Sequence, residues 1–346
     1  MQDLLSKLVV GRSLDEGEAV RAFELIFAGQ ANESQVGALL ALIAVRGPTL
    51  EEVVGAASSM RAHAQRLPIA DDDPIRDSLI DTCGTGGAPK TFNISTASAL
   101  VVAASEPAPG KPRAYVAKHG GRSRSGRGSA EVLAALGVNV DASPEVQARC
   151  LRELGVCFSF AVNHHPAMRF AAGPRKMLGF PTVFNLIGPL CNPGGARRQV
   201  MGVYDRRCVE LIARALARLG AARAMVVHGD DGMDEITTTA PSTIAHVEND
   251  DVRIETFDPA ALGVMRARPE QLVVSSLDEA AGMIRRVLAG ERGPARDIVL
   301  LNAAAALVVA GAHGSLHDAM HAAGEAIDSG RGDATLVRLA RLSHGS

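Results

Sequence analysis

The sequence predicts an α/β protein: a small helical domain followed by a larger α/β domain with a mainly parallel central sheet and flanking helices. Three observations predict it. The first 67 residues show apolar positions at helical spacing behind capping signals; from residue 79 short β-rich runs alternate with helical ones; and glycine-rich loops follow the runs that read as strands.

Three helices are expected at the N-terminus. Ser13 with Glu16, Asn32 with Gln35, and Thr49 with Glu52 fit the capping-box pattern or its Asn variant. Behind them lie Ala19, Phe23, Ile26 and Phe27; then Val36, Leu39, Leu40 and Ile43; then Val53, Val54, Ala57 and Met60. Residues 68–74, with the acidic run Asp71, Asp72, Asp73, read as a connection. Strands are expected at 79–83, 114–117, 138–140, 156–161 and 224–228, with helices opening at Thr96, Ser129 and Pro144 between the first four. The stretch 163–179 reads as one more helix, returning to the helical domain, and the C-terminal third reads as helix-rich. The expected division is 1–70, joined by about 163–190, against 75–162 with 191–346.

Composition narrows the function. The chain has 346 residues, with 36 Lys and Arg against 38 Asp and Glu, a formal charge of -2, so no bulk attraction to nucleic acid is expected. Aromatic residues make up 3%, too few for a base-stacking platform. Apolar runs fall well short of the roughly 18 residues of a membrane helix. The first 20 residues show no apolar h-region, so no export is expected, and five cysteines without a CxxC pair fit a reducing cytoplasm.

Four segments could carry chemistry. Asp81-Thr82-Cys83-Gly84-Thr85-Gly86-Gly87 leaves a predicted strand, and Asn93-Ile94-Ser95-Thr96 opens a predicted helix. Glycine amides and a free helix N-terminus suit a phosphate. A tight turn is the plainer alternative. In the second segment, Lys118-His119-Gly120-Gly121-Arg122-Ser123-Arg124-Ser125-Gly126-Arg127-Gly128-Ser129, four cations among small residues suggest a flexible anion clamp, or a solvated basic loop. The third, Gly229-Asp230-Asp231-Gly232-Met233-Asp234-Glu235, offers carboxylates to Mg2+, or is a surface turn. In the fourth, Arg175 follows His164-His165-Pro166 and could take a carboxylate; the histidine pair reads as structural.

Taken together these pieces resemble the anthranilate phosphoribosyltransferase family. The family's GTGG appears at Gly84 to Gly87, N-x-S-T at Asn93 to Thr96, K-H-G at Lys118 to Gly120, G-S-A at Gly128 to Ala130, H-P at His165 and Pro166, R-K at Arg175 and Lys176, F-N-x-x-G-P-L-x-N-P at Phe184 to Pro193, and D-E at Asp234 and Glu235. The resemblance implies a nucleoside phosphorylase/phosphoribosyltransferase-like architecture, a homodimer through the helical domain, and transfer of phosphoribose from phosphoribosyl pyrophosphate (PRPP) to the amine of anthranilate with Mg2+, in tryptophan biosynthesis. It further implies that Gly84, Thr85, Gly86, Gly87, Thr91, Asn93, Ile94, Ser95, Thr96, Lys118 and Ser129 hold PRPP. Ser95, Asp234 and Glu235 would serve the metal, and Gly84, His119, Gly121 and Arg175 the anthranilate.

The chain departs from the family pattern at Ala88 and Gly121, where Asp and Asn are usual, at Pro181, where Arg is common, and in an apparent insertion at 106–113. Two alternatives therefore stand beside this expectation. One is a relative acting on another amine or a nucleoside. The other is a non-catalytic relative that binds nucleic acid through Arg113, Arg122, Arg124 and Arg127.

Overall fold

The computed structural model describes residues 1–86, 91–123 and 125–345. Four helices, not three, open the chain: α1 (Gln2–Val9), α2 (Glu16–Phe27), α3 (Glu33–Arg46) and α4 (Leu50–Ala62). Helix α1 has Met1 at its N-cap with no side-chain capping bond, so it lacks the start signal that marks the others; Leu4 and Leu8 are its buried face. The capping boxes at Asn32/Gln35 and Thr49/Glu52 form as expected. The first box is shifted by two residues, to Asp15 and Glu18. Ser13 is otherwise engaged: its Oγ accepts from Arg46 Nη1 at 2.9 Å, while the same guanidinium holds both oxygens of the buried Glu52 at 2.6 Å.

The remaining elements are β1 (Leu79–Gly84), α5 (Ile94–Ala104), β2 (Tyr115–Gly120), α6 (Ser129–Ala135), α7 (Pro144–Leu154), β3 (Val156–Phe160), α8 (Ala161–His164), α9 (Arg169–Leu178), α10 (Val183–Ile187), β4 (Arg198–Gly202), α11 (Cys208–Arg218), β5 (Arg223–Gly229), β6 (Ser242–Glu248), β7 (Asp251–Phe257), α12 (Leu277–Leu288), α13 (Pro294–Ala310), α14 (Leu316–Asp328) and α15 (Arg331–Leu342). The sheet has the order β3-β2-β1-β4-β5-β6-β7. Its first five strands are parallel and the last two antiparallel.

Three sequence expectations change. Residues 138–140 form no strand; Val138 and Val140 are buried as core contacts of a loop that Asn139 ties to the C-terminus, its N–H donating to Ser343 Oγ at 2.9 Å. The single helix expected over 163–179 breaks at His165, because Pro166 disfavours helical geometry in the residue before it, and resumes as α9. The β6–β7 hairpin is not among the expected elements: its turn residue Asn249 takes φ +53°, and β7 is an edge strand on which Asp251, Arg253 and Glu255 alternate with Val252 and Ile254.

Alternation along each strand sends neighbouring side chains into two different cores. Val200, Met225 and Val227 join the core built with α5, α7 and α12–α15. Met201, Ala224 and Val226 face the other core, which is shared by α11 and the helices of the N-terminal bundle. Helices α9 and α10 pack against that bundle as well. No helix among the described residues is long and apolar enough to cross a membrane.

Helices α2 and α4 cross closely at Gly55. A Cβ there would stand 2.7 Å from both Ala19 Cβ and the Glu16 carbonyl. Gly55→Leu is therefore expected to cost about 1–3 kcal/mol of unfolding free energy by overpacking, measurable as a lower urea midpoint with an unchanged slope.

Candidate active site

The parallel strands β1, β2, β4 and β5 all point their carboxyl ends at one rim of the sheet, where open α/β sheets bind ligands. A cavity of about 370 Å3 opens there, lined by Gly84–Gly86, residues 91–95, residues 118–123, 125 and 127–129, Asp234 and Glu235. The glycine loop is shaped by close approach. Any Cβ on Gly84 would overlap the Asp234 carboxylate, and one on Gly202, at the end of β4, would overlap the Asp234 backbone. Gly86 takes φ +69° and donates its N–H to Asp234 Oδ2 at 3.0 Å. Thr85 anchors the turn: its N–H reaches the Gly202 carbonyl at 2.9 Å, and its Oγ1 accepts from the Tyr204 N–H at 3.0 Å.

At the start of α5, the Ser95 N–H donates to Glu235 Oε1 at 3.1 Å, so the helix dipole supports that carboxylate. Asn93, the N-cap residue, makes no capping bond with its side chain. Its Nδ2 donates to the Arg127 carbonyl at 3.0 Å and its buried Oδ1 has no protein partner. Thr96 Oγ1 is likewise buried and unpartnered, though Thr96 does not line the cavity.

The basic segment differs from the expected flexible clamp. Lys118 belongs to β2 and is buried; its Nζ donates to the Thr82 carbonyl at 2.6 Å and to Ser95 Oγ at 3.2 Å. Arg127 is committed to the Val274 carbonyl, and Arg122 lies over the Phe160 ring at 5.6 Å. These three cations thus brace the walls of the loop, because strand position, neighbouring carbonyls and a ring claim them first. Gly87, Ala88 and Arg124 lie outside the described residues. Ser129 Oγ reaches the Gly121 carbonyl at 3.5 Å, and Gly121 has room for a side chain, with Ala161 Cβ 3.9 Å from where its Cβ would be.

The acidic loop divides its carboxylates. Asp231 braces the loop by accepting from the Met233 N–H at 3.0 Å and Thr237 Oγ1 at 2.6 Å. Asp234 and Glu235 turn into the cavity. Burial pushes the Glu235 carboxyl up to about 8, with the Asp234 charge adding to the rise, and burial raises Asp234 as well. Burial lowers Lys118, opposed by the Asp81 charge. The pair therefore stands in a desolvated place with too little positive charge, as a cation site would. No cluster of three or more His, Cys, Asp or Glu ligands is present among the described residues. Two carboxylates beside a hydroxyl fit Mg2+, which takes one or two carboxylates and completes its shell with substrate phosphates and water.

Asp81 is a residue the sequence reading passed over. It is fully buried on β1 and accepts the His119 N–H at 3.1 Å; burial pushes its carboxyl up to about 6, against the pull of Lys118. A carboxylate inside the apolar run Leu79-Ile80-Asp81 was the available signal. Of the histidine pair, His164 is structural, bonded to the Gln65 carbonyl at 2.7 Å and Gln147 Oε1 at 3.0 Å. His165 is not held in that way: neither buried ring nitrogen makes a hydrogen bond, and its ring lies 5.1 Å from that of His119, whose Nε2 is also unpartnered. Arg175 is on α9 and does not line the cavity. Its guanidinium sits over the Phe184 ring at 5.1 Å with burial lowering its pKa, and no carboxylate among the described residues pairs with it.

Comparisons with known proteins agree on one family. Residues 2–64 match the model of the glycosyl transferase family helical bundle domain, and residues 76–333 that of the glycosyl transferase family a/b domain. The chain is 47% identical over 334 residues to an anthranilate phosphoribosyltransferase of Moorella thermoacetica, covering 96% of this chain and 95% of the relative. A crystal structure of anthranilate phosphoribosyltransferase from Thermus thermophilus is similar with a TM-score of 0.89 at 37% identity, covering 99% of both chains. The fold is also that of the Saccharomyces cerevisiae anthranilate phosphoribosyltransferase in complex with PRPP and Mg, with a TM-score of 0.88 at 22% identity, covering 100% of this chain and 98% of that one. With its bundle, its α/β sheet and nearly its whole length matched in this way, the chain belongs to the anthranilate phosphoribosyltransferase family.

Proposed function

We propose that the strand-end cavity binds PRPP and delivers its ribose to anthranilate, giving N-(5-phosphoribosyl)anthranilate and diphosphate. The observation that carries this reading is the convergence of the glycine loop, the start of α5, Lys118 and the Asp234–Glu235 pair on one cavity. Gly84, Thr85 and Gly86, with Gly87 beyond them, and Thr91, Asn93, Ile94, Ser95, Thr96 and Ser129 are assigned to the donor. Asn93 Oδ1 has no protein partner to give up. Lys118 spends two of its three N–H donors on Thr82 and Ser95 and keeps one for a phosphate oxygen.

Displacement at the anomeric carbon forms a C–N bond as the C–O bond to diphosphate breaks. Negative charge grows on the leaving group and positive charge on the sugar, so fixed donors aimed at the diphosphate stabilise the transition state most. Asp234 and Glu235, with Ser95 beside them, would hold Mg2+, which when bound neutralises part of the diphosphate charge. An aromatic amine is neutral near pH 7, so orienting it matters more than deprotonating it first.

His119, Gly121, Gly84 and Arg175 are assigned to anthranilate. A buried guanidinium with an aromatic neighbour and no carboxylate partner is the group a ligand carboxylate would satisfy. Arg175 belongs to the helical side and the donor loops to the α/β side, and we propose 1–70 with 163–190, and 75–162 with 191–346, as the two bodies between which the acceptor lies. A homodimer through the helical body is part of the same proposal, supported by the exposed Val9, Val10 and Val45 on α1 and α3 and the turn after α1. A cytoplasmic location fits five free cysteines.

With PRPP, Mg2+ and anthranilate, the purified protein should consume anthranilate fluorescence; an acceptor panel in which anthranilate is inert under every metal condition would overturn the reading. Arg175→Ala should raise KM for anthranilate about 10- to 100-fold, the scale of a lost charged hydrogen bond, and leave KM for PRPP near the parent value. A selective effect on PRPP would remove Arg175 from the acceptor site.

The charge arrangement also sets a pH dependence. Glu235 is raised above its unfolded value, so the metal-free native state binds the extra proton and stability falls as pH rises from about 4.5 toward 8. Thermal melts across that window should show the decline, with Mg2+ reducing it and Glu235→Gln flattening it. A metal-free protein whose stability rises through the window would contradict the burial of this pair.

A further inference from the structure

At the opposite rim of the sheet, where β1, β4 and β5 begin, a second cavity of about 180 Å3 lies between the end of α4, the connection after it, the turn before β4 and the C-terminal end of α11. Its wall carries four guanidinium groups, Arg61, Arg66, Arg76 and Arg197, and no carboxylate. The ordinary explanation is helix capping, and it accounts for part of the cluster. Arg61 donates Nη1 to the Leu219 carbonyl at 3.0 Å and Nε to the Leu190 carbonyl at 2.7 Å; Arg197 donates Nε to the Gly220 carbonyl at 3.0 Å. The bonds to Leu219 and Gly220 cap the turn at the end of α11. Arg76 is held by the carbonyls of Ile69 and Ala70 and by Asp71 at 3.2 Å.

Capping does not account for the rest. Arg66 makes no hydrogen bond or ion pair among the described residues, and Arg197 uses only Nε. Arg61 is largely buried, and no carboxylate pairs with it. Burial lowers its pKa and the Arg66 charge beside it lowers it further. Cys191 supplies no balancing charge, since burial pushes its thiol up to about 12. Arg66 and Arg197 are exposed and water screens them; the desolvated charge is that of Arg61, which an oxyanion entering the cavity would balance.

We propose that this cavity is a second anion site, taking a phosphate-type oxyanion. A lone carboxylate would satisfy one guanidinium fork. The unengaged guanidinium nitrogens of Arg61, Arg66 and Arg197 around this cavity suit a tetrahedral group with about two negative charges and several acceptor oxygens. Arg61 and Arg66 come from the end of α4 and the connection that follows, Arg197 from the turn before β4. A bound oxyanion therefore bridges the helical bundle to the sheet, far from the strand ends that hold the donor site.

Tungstate, an electron-dense tetrahedral oxyanion, soaked into crystals of the full chain should give an anomalous peak between Arg61, Arg66 and Arg197, a position that separates it from any anion at the glycine loop. The same soak of the Arg66→Ser, Arg197→Ser double variant should lose this peak. In solution, phosphate and diphosphate titrated by calorimetry should each show whether the oxyanion is single or paired, and the double variant should weaken the tighter of the two at this site by about tenfold or more. Its kcat and its KM for PRPP should match the parent, since neither arginine touches the strand-end cavity. A cavity without a peak, or a double variant that binds both anions as the parent does, would overturn the proposal.

Discussion

Two adjacent carboxylates, Asp234 and Glu235, are buried against the carboxyl ends of a parallel sheet, and the architecture around the active site follows from making room and charge for them. The strand ends that meet Asp234 are glycines, Gly84 on β1 and Gly202 on β4, because a side chain at either would occupy its space. The amides of Gly86 and Ser95 point at the two carboxylates. Lys118 is held within β2 rather than in the loop beyond it, and its charge is one of the few that oppose their burial. The metal the family uses would complete this balance, so the same pair links the shape of the loops to the chemistry of the leaving group.

The sheet that carries these loops is held from both sides. One face packs on a helical layer in which α13 contributes Ala303 to Ala306, all fully buried, and the other shares its core with α11 and the N-terminal bundle. The bundle is thus packed directly on the layer beneath the site. Through α9 it also carries Arg175, from a part of the chain well before Asp234, the residue we assign to the acceptor. Opposite the donor loops the same contact between bundle and sheet leaves an arginine-walled cavity, so the two faces of this junction collect opposite chemistry: carboxylates at the strand ends, guanidinium groups at the strand beginnings.

Sequence reading was most reliable where a local rule had no competitor. The capping boxes at Asn32 and Thr49, the strands at β1, β2, β3 and β5, and the glycine loop after β1 were all legible. Where two rules competed, packing decided. Ser13 is expected to cap the first of the predicted helices, but its hydroxyl accepts from Arg46, which also holds Glu52, and Asp15 caps α2 instead. Val138 and Val140 looked like a strand because burial alone produces the same apolar signature. The basic loop looked free, yet Lys118 and Arg127 are engaged by carbonyls that lie 36 and 147 residues away in the chain.

By itself the sequence determined the fold class, the family motifs and the residue types available to each loop, since these depend on propensity, period and spacing within a few residues. Tertiary structure alone decided that Asp231 braces the acidic loop, why Gly202 must be glycine, that Asp81 supports His119, and that four arginines share a wall. Those outcomes depend on distances between segments far apart in the chain, and no local pattern encodes how closely two such segments approach.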